Sequence, residues 1–345
     1  MNNKRLVAII LAVVLILGGG GAYLFRAQIR AGIDVISGND YSGSGSGTVV
    51  LSIAEGQTGS DVASNLVKLG VTKNFSYTYK VIVGQNPVFI PGNYSLHKHM
   101  SVISALDLLK DPKSRIVKTV TVKEGLRLKN VFAVLSSATG ISVADFLSAS
   151  SDPAVFGLPA SLPSLEGFLF PATYEYDSKT TAKSMIKMMV QRMQQELQKQ
   201  GVSSGDQLKV LTLASIIQKE ARQTADFYKV SRVFTNRLDL GMKLQSDATV
   251  SYGSGGTTVT TTDAERSASN GYNTYVHSGL PIGPISAPGS IAIDAALHPA
   301  SGDWLYFVAV NLKTGETVFS TTYAEHQKAV AQWQAWMRAN PGWNG

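Results

Sequence analysis

"VTVKEGLRLKNVFAVLSSATGI", Val120–Ile141, decides how the chain divides, because its plan occurs once before. In "LSIAEGQTGSDVASNLVKLGV", Leu51–Val71, Glu55-Gly56 match Glu124-Gly125, and Val62 and Leu66 match Val131 and Leu135. Each copy opens with alternating apolar residues, passes a glycine and continues with apolar positions at helical spacing. One extra residue precedes the closing Gly140. Two copies do not make a solenoid. The reading is one strand–turn–helix unit used twice, once in each of two domains of an α+β fold.

Working outward, residues 49–115 form a small α+β module. It holds a strand at Val49–Ile53, a helix capped by Ser60 and ended by Gly70, and a helix at Asn74–Val83. A strand in "VFIPGNYSL" and a helix at Ser101–Leu109 complete it. Residues 116–345 form a larger mixed α+β domain. Helices are expected at Ser142–Ser148, Thr181–Gln200, Gln207–Arg222, Phe227–Leu238, "SIAIDAALHP" and Tyr323–Met337. The stripe of Met185, Met188, Met189 and Met193 reads as core. "WLYFVAV" and "TVFST" pair through an "NLKTGE" turn. The segments after Gly241, rich in Asn, Tyr, Gly and Pro, read as long ordered loops, where binding residues concentrate.

Before the module, residues 1–5 are a short basic tail. Leu6–Phe25 is 20 residues without a charge, long enough to cross a hydrocarbon core of ~30 Å. No convincing small-x-small cleavage site follows before Arg26, so an uncleaved single-pass anchor is expected rather than a signal peptide. Residues 26–48 are a linker that includes "SGNDYSGSGSG", Ser37–Gly47, read as a flexible tether. Lys4 and Arg5 on one side and Arg26 and Arg30 on the other nearly balance, so flanking charge does not orient the anchor.

The net charge is +7 and the pI about 9.3, which favours an anionic partner. Lys and Arg are spread with no run longer than two, which argues against nucleic acid. The absence of cysteine excludes disulfides, thiolate zinc and cysteine nucleophiles. No HExxH, phosphate-binding loop or GxSxG elbow occurs, and His97 and His99 read as a surface pair. Neither a metal nor a cofactor is expected.

One acid stands out. Leu213, Ile216 and Ile217 lie seven, four and three positions before Glu220, so a helix puts all four on one stripe. A carboxylate on an apolar face is either a partnered structural acid or a general acid with a raised pKa. The following loops carry Gln245, Asp247, Tyr252, Asn273 and Tyr275, a set suited to sugar hydroxyls and to the C–H faces of sugar rings, and equally to caps and turns. Cleaving a glycosidic bond needs a protonated carboxyl at the leaving oxygen and commonly a second carboxylate. Asp247, Asp263 and Glu265 are available in sequence for that second role.

Five ordered motifs, "LASIIQKEA", "RVFTNRLDLGMKLQSDATVSYG", "YNTYVHSGLPIGPISAPG", "AALHPA" and "LYFVA", make the chain resemble the YceG-like endolytic murein transglycosylases, the MltG family. The resemblance runs from the anchor to the last helix. It implies a membrane-anchored protein with a small LysM-like module beside a catalytic domain that faces the cell wall. It implies internal cleavage of nascent peptidoglycan strands to give 1,6-anhydro-N-acetylmuramic acid ends. It places the catalytic acid/base on Glu220 and the glycan groove on Gln245, Asp247, Tyr252, Asn273 and Tyr275, with Glu166 a further candidate. It also raises peptidoglycan synthases and elongation or division proteins as partners. Gln218, Ala172 and Ile282 depart from the residues usual in the family. Two other readings stand beside it: a wall-binding scaffold with Glu220 structural, and a muramidase-type hydrolase using Asp247.

Overall fold

The structure, a computed structural model, describes residues 38–256 and 261–342. The expected anchor, Leu6–Phe25, and most of the linker lie outside them. Among the described residues no helix is long and apolar enough to cross a membrane. The chain forms two compact units. One contains the described residues up to Lys118, with Asp177–Lys179; the other contains Thr119–Tyr176 and the residues from Thr180 on.

In the smaller unit β1 (Ser46–Ile53) pairs antiparallel with β2 (Gly92–Lys98), Leu51 facing Tyr94 and Val49 facing Leu96. Period-two alternation sends Leu51, Ile53, Tyr94 and Leu96 to one face. There they meet Val62, Ala63 and Leu66 of α1 (Gly59–Lys68) and Val102, Ala105 and Leu106 of α3 (Val102–Lys110) in one core. Between them α2 (Phe75–Gln85) is capped by Asn74 and closed by Asn86 in the left-handed region.

Two expectations change here. The cap of α1 is Thr58, not Ser60: its hydroxyl accepts from the Asp61 N–H while the Asp61 carboxylate accepts from the Thr58 N–H. That reciprocal box outcompetes a lone serine. The Gly/Ser-rich stretch is docked from Asp40 on. Asp40 is buried and accepts from the first N–H of α3, Gly43 O accepts from Ser101 N, and Ser46–Gly47 already belong to β1.

The larger unit opens with the second copy of the motif. Strand β3 (Lys118–Thr121) leads through Gly125, at φ 73°, into α4 (Leu128–Thr139), as β1 leads through Gly56, at φ 80°, into α1. Strand β4 (Thr173–Tyr176), inside the aromatic stretch, pairs with β3. Helix α5 (Val143–Ala149) packs on α6 (Ala182–Lys199), whose Met185, Met189 and Met193 are fully buried. Next come α7 (Gln207–Glu220) and α8 (Thr224–Asp239).

The region expected as loop holds two short helices, α9 (Asp247–Gly253) and α10 (Asp263–Ser267). Helix α11 (Ser290–Leu297) packs against α7 and α8. The hairpin β5 (Tyr306–Asn311)–β6 (Glu316–Ser320) sets Phe307 opposite Phe319 and is covered by α12 (Tyr323–Ala339).

Candidate active site

The site begins where α7 stops. Leu213, Ile216 and Ile217 are buried, as a helical stripe requires, and Glu220 continues that stripe. The helix does not run on to Arg222. Ala221 turns extended at ψ 139°, its N–H still bonded to Ile217 O, and Gln223 opens α8. Glu220 is therefore the last helical residue, partly exposed, with an apolar turn beneath it.

Three effects favour its neutral form. Burial pushes the Glu220 carboxyl up, and the nearby charge of Asp247 adds to this, against the Ser246 hydroxyl and Lys219, which pull it down. The helix C-terminus, negative in potential, acts in the same direction as burial. The hydroxyl of Ser246 donates to Glu220 Oε1 at 2.5 Å. Ser246 is itself fixed: its N–H donates to Thr274 Oγ1, and the preceding Gln245 N–H donates to Thr274 O.

Two clefts meet at this point, and Glu220 and Asp247 line both. The first, of about 300 Å³, is walled by Gln245, Ser246, Tyr275 and the aromatic group Tyr306, Phe307, Tyr323 and His326. The Tyr306 and His326 rings stack at 5.2 Å, with the Arg237 guanidinium 5.3 Å from the Tyr306 centroid. The second, of about 500 Å³, is walled by the Gly125–Arg127 turn, Lys129, Lys219, Arg222, Ser251 and Ile285.

Asp247 sits in the first turn of α9 and accepts from Thr261 Oγ1 at 2.6 Å, Tyr275 OH at 3.0 Å and Arg266 Nε at 3.3 Å. Burial and the neighbouring Asp247 push the Tyr275 phenol up to about 12, so it serves Asp247 as a donor.

The sequence candidates divide accordingly. Gln245, Asp247 and Tyr275 line the groove with Glu220. Asn273 does not: it is fully buried, its amide donates to the carbonyls of Glu265, Arg266 and Ala268, and its Oδ1 accepts from Tyr275 N. Tyr252 and Glu166 lie behind the groove, Tyr252 OH donating to Glu166 Oε2 at 3.1 Å. Both oxygens of Glu166 are 3.0 Å from Leu128 N, the first N–H of α4, so Glu166 caps a helix that has no cap of its own. Burial holds the Glu166 carboxyl at about 7. Gln218 points away from Glu220 and accepts from Gly289 N at 2.9 Å, just before α11. Sequence reasoning missed Ser246, Arg127, Lys219 and the aromatic wall. Ser246 stands between two candidates it did name. Among the described residues no group of three or more His, Asp or Glu could hold a metal ion.

Comparison with known proteins agrees with the motif pattern. Residues 51–332 match the YceG-like family. The chain is similar to an endolytic murein transglycosylase of Bacillus subtilis, 32% identical across 90% of this chain and 89% of that one. It is also similar to one of Streptococcus pneumoniae, 28% identical across 82% of this chain and 58% of that longer protein. In structure it resembles a crystallised YceG-like protein of Listeria monocytogenes, with TM-score 0.55 and 32% identity, covering 82% of this chain and 99% of that one. A family match over residues 51–332, with a relative 32% identical across most of both chains, makes the chain a member of the YceG-like family.

Proposed function

We propose that this protein is an endolytic peptidoglycan lytic transglycosylase. It is held in the cytoplasmic membrane by Leu6–Phe25, with its folded part toward the wall, and cuts nascent glycan strands at the MurNAc–GlcNAc β-1,4 bond. The observation that carries this reading is the place of Glu220: one carboxyl, raised by burial, on the shared wall of two clefts. An acid that cuts inside a strand needs sugar on both sides of the bond. The names of the relatives supply the reaction class.

The chemistry follows from the protonation state. Protonated Glu220 gives its proton to the glycosidic oxygen as the C1–O bond breaks and the GlcNAc hydroxyl leaves. The muramyl 6-hydroxyl oxygen then bonds to C1, and its proton passes to the Glu220 carboxylate. The 1,6-anhydro ring closes, no water is consumed and the acid is regenerated. Ser246 orients the carboxyl and stabilises its anionic form between the two steps. The aromatic wall suits sugar C–H faces, and Gln245 offers its amide to hydroxyls.

Asp247 supports a second reading. It is the other carboxylate on both clefts, the position a hydrolase would give its base. Its engagement by Arg266, Tyr275 and Thr261 suits a fixed charge better than a free base.

The test is mass spectrometry of peptidoglycan digested by the full-length chain beside Glu220→Gln. Internal fragments with anhydro ends from the wild type, and a loss of at least ~10³-fold in the variant, are expected. Reducing ends would move the protein to the hydrolases. Equal digestion by the variant would remove Glu220 from the chemistry.

A further inference from the structure

The two halves of the groove differ in charge as well as shape. The first cleft is mainly aromatic, and its Arg237 is buried and donates to the carbonyls of Leu305, Lys243 and Leu244. Among the described residues that line it, the second gathers four cations, Arg127, Lys129, Lys219 and Arg222, and its acids are Glu220 and Asp247 on the wall it shares with the first. Asp247 is taken up by Arg266. Glu220 is pushed toward its neutral form.

The cations are held close together. Arg127 is fixed by donating to Gly256 O at 2.6 Å and Ser251 Oγ at 3.1 Å, with its guanidinium 5.2 Å from the Tyr252 centroid. Glu166 lies near enough to feel its charge. Lys219 donates to Gly125 O at 3.4 Å. Burial and the Arg127 charge both disfavour its protonated form, and Glu220 only partly offsets them. Lys129 and Arg222 stand exposed at the cleft. Crowding cations against one another costs free energy unless an anion joins them.

A glycan backbone of N-acetylated sugars offers these cations no negative charge. The peptide carried on the lactyl group of each muramyl residue does, through its carboxylates. We propose that the basic half of the groove seats the anionic peptide of a muramyl residue beside the scissile bond, with a peptide carboxylate held by Lys219 and Lys129 in front of the fixed charge of Arg127. This rests on the reaction proposed above. It makes the protein a reader of peptide-bearing strands, with the aromatic half taking sugar and the basic half taking peptide. A seated carboxylate would also bring negative charge close to Glu220, which keeps the acid protonated.

Binding tests this without requiring cleavage. The full-length chain carrying Glu220→Gln is titrated with fluorescent glycan strands that bear peptides, and with the same strands stripped by an amidase. Peptide-bearing strands should bind about tenfold more tightly at low salt, and the preference should shrink as salt rises. Adding Lys129→Glu or Lys219→Gln should bring the ratio close to one. Circular dichroism and binding of stripped strands report whether each variant is folded. A third arm uses stripped strands that keep a terminal lipid diphosphate. The proposal is overturned by a ratio of one without the added substitutions, by a preference that survives both of them, or by a preference that follows the diphosphate. Absence of cleavage by the wild-type chain would sink the reaction while leaving the binding ratio to decide the peptide seat.

Discussion

Glu220 ends its helix at a place where a carboxyl can rest on apolar residues and still line both clefts. One turn earlier it would be as buried as Ile216 or Ile217; beyond Ala221 it would lose the apolar floor. Ser246 sets the balance of its proton. Its hydroxyl stabilises the anion, so Ser246→Ala should raise the Glu220 pKa further. Activity that needs protonated Glu220 falls as pH rises through that pKa, so the alkaline limb of kcat/KM should move up by about one pH unit. An unmoved limb would mean that Ser246 does not govern the acid. Glu166 has the opposite kind of role. Its folded carboxyl sits at about 7 against an ordinary 4.5. A raised acid favours the fold while protonated, below about 4.5, and that contribution is lost as pH climbs through 7. The span corresponds to about 3 kcal/mol at most. The melting temperature should therefore fall between pH 4.5 and 7 more steeply in the wild type than in Glu166→Gln; parallel curves would show that the carboxyl carries no such linkage. The Glu220 stripe was legible because helical spacing is local. Its partner Ser246 was not, because a contact 26 residues away has no period to announce it.

At the scale of elements, the loop before Tyr275 is built around one amide. Asn273 donates to three carbonyls of the segment that includes α10 and accepts from Tyr275 N. Asn273→Ala would leave those buried carbonyls short of a donor, at a cost of roughly 2–3 kcal/mol. It would also release Tyr275 from Asp247. The expected result is a lower melting temperature together with a higher KM for glycan. A raised KM with unchanged melting would instead make Asn273 a direct sugar contact. This loop was the least legible part of the fold. Helices of seven and five residues are too short to show an apolar period, so α9 and α10 were read as loop. The signal for α10 was capping: Thr262 and Glu265 form a reciprocal box three residues apart. The repeated strand–turn–helix unit was legible, because both copies need a glycine in the left-handed region between strand and helix. The early end of α7 was not. Nothing in "KEARQ" resists helix, and the break is held by contacts distant in sequence, such as Arg222 Nη1 donating to Leu312 O.

The whole molecule carries its basic charge in a way the sequence did not disclose. Arg127 and Lys129 come from the turn and first residues of α4, Lys219 from the end of α7 and Arg222 from the link just after it, and folding brings these two short segments to one cleft. Spread along the chain, the same cations read as a general preference for anions. Each of the two units also has its own apolar core, one centred on Leu51, Leu66 and Leu106, the other on Phe132, Met189 and Ile216. All the groove residues named above belong to the larger unit. A unit with its own core and its own site should keep its chemistry when expressed alone. Residues 119–345 should therefore fold cooperatively and cut peptide-stripped glycan with kcat within about tenfold of the full-length chain. The smaller unit would then affect where and how long the enzyme stays on its polymer, through KM and fragment length, rather than the bond-breaking step. Calorimetry of the fragment and end-group analysis of its products check this together. A folded fragment with no activity would show that the smaller unit supplies part of the reacting centre, and would put the division of labour between the two cores in the wrong place.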